Sequence, residues 1–142
     1  ARVITIGYYS LIRMSDYELN PSSFAKNAKW MPLNSVKKLP FDHLKILNSS
    51  VEYLRSNTKI KPIGFNLLPK KFTLNQMQKL YEAIFDKKID NRNFRRKIIN
   101  LDILDKLEEK QSGVAHKPAN YYKFNKNRYE KYLKSGFFKF EF

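Results

Sequence analysis

Two amphipathic segments stand back to back in residues 73–104, and their spacing admits few folds. The first, TLNQMQKLYEAIF, opens on Thr73 and Gln76, a capping-box pair whose hydroxyl and amide can each satisfy a backbone N–H left open at a helix start. Leu74, Met77, Tyr81, Ile84 and Phe85 then share one helical face. The second, DNRNFRRKIINLDIL, places Asp90 at the N-cap and a stripe of Phe94, Ile98, Leu101 and Ile103 or Leu104 behind it. The turn between them, KKID, ends on that cap residue and is short. So short a turn obliges the two helices to cross and bury their apolar stripes together.

The segment after the second helix narrows the choice further. KLEEKQSGVAHKPANYYKFN holds two strand candidates, 106–111 and 120–125, joined by a tip with Gly113, His116, Lys117 and Pro118. Helix, turn, helix and a hairpin with a basic tip is the order of a winged helix-turn-helix.

The second helix has an unusual outer face. Projected at about 100° per residue, Phe94, Ile98 and Leu101 cluster on one side. Arg92, Asn93, Arg96 and Asn100 fall opposite, with Arg95 and Lys97 on the flanks. Arg forks onto guanine O6 and N7, and Asn pairs with adenine N6 and N7, so this side is shaped to read a major groove. Flanking cations suit phosphates, which position a helix without carrying sequence information. A solvated helix face would account for the charge alone, but not for its place between a capped helix and a basic hairpin. His116 and Lys117, at the tip, are the expected wing contacts. Thr73 and Gln76 are expected to cap and nothing more, and the aromatic tail YYKFNKNRYEKYLKSGFFKFEF to pack rather than to stack on RNA bases.

Charge supports a polyanionic partner. The 142 residues carry 28 Lys and Arg against 13 Asp and Glu, a net +15, and a field of that sign draws nucleic acid or an anionic membrane. Residues 70–142 hold 18 of the basic and 9 of the acidic side chains, so the surplus is larger in the helix-turn-helix half. No apolar run approaches the roughly 18 residues of a membrane span. With no Cys and two His the chain has no disulfide framework, no thiolate zinc site and no His-based metal cage, and no metal or cofactor is expected. An intracellular address fits this usage.

The first half has another texture. ARVITIGYYSLIR starts without Met, lacks a signal peptide's features, and reads as a strand in the interior of a longer protein. MSDYELNPSS is turn-rich, and AKWMPLNSVKKLPF, with Trp30 as core or pocket wall, reads as a short strand and turn. Leu44, Leu47, Val51 and Leu54 recur at helical spacing after Asp42, a candidate cap, and NTKIKPIGF ends that helix. Asp42 and His43, at the helix start after LP, are candidates to line a ligand pocket. The sequence therefore divides into 1–58, a linker at 59–69, and 70–142.

With these residues in view, the chain resembles the Nudix-related transcriptional regulators. AKWMPL and LPFDHLKIL are similar to the closing part of their Nudix domain. KPIGFNLLPKKFTLNQMQKLYEAIF followed by DNRNFRRKIINLDIL is similar to the start and recognition helix of their winged helix. The resemblance implies an α+β chain: a partial Nudix-like α/β segment for effector binding and dimerisation, then a winged helix DNA-binding domain with a C-terminal extension. It implies a cytoplasmic bacterial homodimer on a palindromic operator, regulating NAD or sugar-metabolism genes. Its effector would be an ADP-ribose-like nucleotide or a sugar such as arabinose. Carried over by position, Arg92, Asn93, Arg96 and Lys97 fall in the recognition helix, His116 and Lys117 in the wing, and Asp42 and His43 near the effector cleft.

One departure decides between regulator and enzyme. A Nudix hydrolase needs G-x5-E-x7-R-E-x2-E-E-x-G, whose glutamates hold divalent metal. None of Gly7, Gly64, Gly113 and Gly136 is followed by Glu at that spacing, and Glu108–Glu109 precedes Lys110 rather than x-Gly. The expectation is a non-enzymatic regulator. The alternative from another class is a nucleotide pyrophosphohydrolase with a basic accessory domain.

Overall fold

The computed structural model describes residues 4, 6–22, 24–61, 63–115 and 117–135, in two compact units, Ala1–Tyr53 and Leu54–Phe142. Helix α1 (His43–Ile60) runs through the division. The second unit continues with a 3-10 turn (Ile63–Leu67), α2 (Leu74–Phe85), α3 (Asn91–Asn100), strands β1 (Leu104–Lys110) and β2 (Asn120–Phe124), and α4 (Lys126–Lys134).

The helix-turn-helix forms where the capping residues place it. Thr73 Oγ1 accepts from the Gln76 backbone N–H at 3.2 Å while Gln76 Oε1 accepts from the Thr73 N–H at 2.8 Å. Asp90 Oδ1 accepts from the Asn93 N–H at 2.7 Å and starts α3. Between them α2 ends on Asp86 in the left-handed region, φ 53°, which an Asp tolerates better than a β-branched residue. The turn is held by side chains. Gln78 Nε2 donates to the Ile89 carbonyl at 2.9 Å, Asn91 Nδ2 donates to Gln78 Oε1 at 2.8 Å, and the Ile89 N–H donates to Glu82 Oε1 at 3.0 Å.

Met77, Tyr81, Phe94, Ile98 and Ile103 are fully buried, and Phe65, Leu68, Phe72, Leu74 and Ile89 complete the core. Phe124 of β2 stacks on Phe65 at 4.1 Å, so the hairpin and the 3-10 turn close on the same centre. Gly64 lets that turn come close: a Cβ there would sit 3.1 Å from Leu80 Cδ2 and 3.6 Å from Ile84 Cδ1. The hairpin pairs Leu104 with Phe124 and Lys106 with Tyr122, and resumes at Lys110 opposite Asn120 after a bulge. Phe72 exchanges both backbone bonds with Tyr122, at 3.0 and 2.8 Å, adding a one-residue bridge to the edge of the two-stranded sheet. Gly113, at φ 69°, supplies the left-handed residue in the hairpin loop.

Three expectations need correction. The residues 4 and 6–13 form no strand, nor does the stretch after Ala28, where Leu33–Ser35 is a 3-10 turn. A strand is a pairing rather than a property of a segment, and nothing among the described residues of that unit pairs with either. Trp30 is 41% exposed and so is not core; among the described residues every buried hydrophobic side chain lies at 65 or beyond. Third, α1 runs to Ile60, through the polar residues read as its end. Thr58 is buried and its hydroxyl donates back to the Leu54 carbonyl at 2.7 Å, so the buried oxygen is satisfied inside the helix.

Candidate nucleic-acid interface

Helix α3 stands on Phe94 and Ile98, both at 0% exposure. That anchoring turns Arg92, Arg95, Arg96, Lys97 and Asn100 outward, all exposed, while Asn93 is half-buried beside the cap. Arg96 Nη2 donates to Asn93 Oδ1 at 3.2 Å, one turn back along the helix. An amide and an exposed guanidinium thus meet along the helix. No acidic residue lies in the first turn of α3, and Asp90, which precedes it, spends one carboxylate oxygen on the cap.

The hairpin meets this helix through a concavity of about 370 Å³. Its lining includes Leu74 from α2, Arg95 from α3, and Lys117, Ala119 and Tyr122 from the hairpin. Two cations far apart in sequence, Arg95 and Lys117, therefore face one depression. Sequence reasoning had both residues but not their meeting. Leu74 and Tyr122 were beyond it, since their place there follows from the Phe72–Tyr122 pairing that draws the hairpin to the start of α2. His116 lies outside the described residues.

The hairpin itself is braced from two sides. Lys71 Nζ donates to Glu109 Oε1 at 2.6 Å and lies 5.4 Å from the centre of the Tyr121 ring. On the other side α4, in the stretch expected as a C-terminal extension, locks down through Arg128. Its guanidinium pairs with both Asp102 and Asp105, and it donates to the Leu104 carbonyl at 3.3 Å. Asn125 caps α4 through the Arg128 N–H at 2.9 Å and donates to Asp105 Oδ2 at 3.0 Å. The signal for this helix was present in Asn125 followed by the spacing of Tyr129 and Leu133 with Lys126 and Glu130.

The other candidates lie in the first unit. Asp42 lines a shallow concavity of about 500 Å³ with Tyr9, Lys45, Ser49 and Tyr53 among others. Its carbonyl accepts from the Ile46 N–H at 3.1 Å, the position of a helix cap. His43 is outside that lining; its ring tilts against Phe41 at 5.9 Å. Among the described residues no group of three or more His, Cys, Asp or Glu is gathered as metal ligands, and no helix is long and apolar enough to cross a membrane.

Residues 64–124 match the family model of the NrtR DNA-binding winged helix domain. The chain is 29% identical over 130 residues to the ADPR-responsive transcriptional repressor NtrR of Acinetobacter baylyi, covering 89% of this chain and 51% of the relative. Among solved structures it is similar to Shewanella oneidensis NrtR in complex with a 27mer DNA, with a TM-score of 0.58 and 29% identity over 72% of this chain and 47% of that one. The same regulator without DNA gives a TM-score of 0.55 and 30% identity over 71% and 46%. The chain thus spans about half the length of the relatives it matches.

Proposed function

We propose that the chain, whose residues 64–124 match the NrtR winged helix model, is the DNA-binding part of a transcriptional regulator of NAD metabolism. Helix α3 reads base edges with Arg92, Asn93, Arg96 and Asn100, and Arg95, Lys97 and the wing residues His116 and Lys117 grip phosphates. Residues 1–58 are the closing part of a Nudix-like effector and dimerisation domain, with Asp42 and His43 near its effector cleft and 59–69 as linker. As a homodimer the protein sets two winged helices on a palindromic operator in the cytoplasm. Its effector is an ADP-ribose-like nucleotide; the ADPR-responsive relative favours that over a sugar.

One observation carries this reading: an exposed arc of guanidinium and amide groups on a helix whose opposite side is fully buried, with a second cationic element beside it. Six to ten phosphate contacts per dimer would make affinity for duplex DNA fall about 10³- to 10⁵-fold between roughly 50 and 200 mM salt. Fluorescence polarisation with a labelled duplex measures this directly, and a flat salt response overturns the proposal. ADP-ribose added to the complex should release the duplex.

The chain does not hydrolyse nucleotides in this reading. Its sequence lacks the spaced glutamates that would hold a water-activating metal. With Mg²⁺ or Mn²⁺ present, ADP-ribose should persist at the rate of a protein-free blank.

A further inference from the structure

The outer face of α3 contains one residue that charge does not explain. Ile99 is 55% exposed, while Ile98 beside it is fully buried. At about 100° per residue, Ile99 lies on the exposed arc between Arg95 and Arg92, with Arg96 a turn behind it. All three arginines are exposed.

The fold gains little from an isoleucine here. With the described parts of the hairpin and α4 in place the side chain still faces solvent, and its β-branch makes it a weaker helix former than the Ala, Lys or Glu an outer position would accept. A single exposed apolar residue is ordinary on a protein surface. This one sits in the middle of a cationic arc, where its neighbours select a polyanion and where docking would strip it of water.

A duplex offers such a side chain a single apolar partner in its major groove, the 5-methyl group of thymine. We propose that Ile99 is a specificity-determining residue that reads a thymine 5-methyl group next to the bases read by Arg92 and Arg96. The inference rests on the reading of α3 as the duplex-reading helix. It adds to the hydrogen-bonding contacts a contact to which removal of a methyl group is the only relevant change.

Deoxyuridine provides that change, since it keeps every hydrogen-bonding group of thymidine and lacks the methyl. The full chain is first used to select its preferred duplex from a randomised pool. Each thymine of that duplex is then replaced singly by deoxyuridine, and affinities are measured by polarisation at one salt concentration for wild type, Ile99→Ser and Ile99→Val. Burial of one methyl group sets the expected loss for wild type at about fourfold, at one thymine of the recognised half-site. Ile99→Ser should bind the thymine and uracil duplexes equally at that position, while Ile99→Val keeps part of the discrimination. All three proteins should respond alike elsewhere. A wild type indifferent to every thymine methyl, or a penalty of the same size in Ile99→Ser, overturns the assignment while duplex recognition by α3 stands. Failure to enrich any duplex brings down both. Because Ile99 is exposed, thermal melts of the three proteins should coincide, which separates a lost contact from a lost fold.

Discussion

Arg96 and Lys97 are neighbours with different expected duties. The Arg96 guanidinium meets the Asn93 amide along the helix, a fork suited to a base edge, whereas Lys97 leaves the helix on its flank as a point charge. Arg96→Ala should therefore cost about 1–3 kcal/mol on the preferred duplex and little on random DNA. Lys97→Ala should weaken both duplexes alike and lower the salt slope by about one unit per lost phosphate contact. Polarisation titrations of both variants on both duplexes decide it. Equal losses everywhere would make α3 a grip, with the sequence reader elsewhere. The types and face of these residues were legible from spacing alone, because a helix repeats on itself. The Asn93–Arg96 bond was legible only in part: spacing brings the two within reach, but rotamers decide whether they meet.

At the scale of elements, α2 and α3 are joined by a turn whose stability sits in three side chains, Gln78, Glu82 and Asn91. The Ile89 N–H beside Glu82 holds its carboxyl below the ordinary value of 4.5, aided by the Gln78 amide and by Lys88 and Lys79 and opposed by partial burial. A carboxyl depressed in the folded state contributes stability that is fully present above the unfolded value. That contribution is lost as pH falls through the folded one. Melting temperature should therefore be insensitive to Glu82→Gln below the folded carboxyl's pKa, where both side chains are neutral. The variant should show a deficit that grows as pH rises through the folded carboxyl's pKa and levels off above about 4.5. A deficit independent of pH would refute the assignment. The helix beyond the turn depends on Phe94, fully buried and 6.4 Å from the Tyr81 ring. Phe94→Ala should cost roughly 3–5 kcal/mol of fold stability, seen in denaturant melts without DNA. A cost below about 1 kcal/mol would mean that α3 is seated by something else.

For the whole molecule, the two units are unequal in what holds them. The buried hydrophobic side chains among the described residues all belong to Leu54–Phe142, while Ile4, Ile6, Tyr8, Phe24 and Phe41 in Ala1–Tyr53 are largely exposed. A chain cut to 54–142 should thus keep its cooperative melt within a few degrees of the full chain's, since the area removed from water stays with it. Loss of cooperative unfolding on truncation would show that the first unit supplies a core contribution of its own.

By itself the sequence determined the caps at Thr73 and Asp90, the faces of α2 and α3, the hairpin and its basic tip. Each depends on residues within a turn or two of one another, and periodicity, capping and turn chemistry are interactions of that range. Only the tertiary structure decided that Phe72 joins the sheet through Tyr122, that Arg95 and Lys117 share one depression, and that Arg128 ties α4 to Asp102 and Asp105. It also left the strand-like stretch at the start of the chain without a strand partner among the described residues. Those outcomes join residues some twenty or more positions apart, and which pair wins is set by how the core closes rather than by any local preference of the segments it brings together.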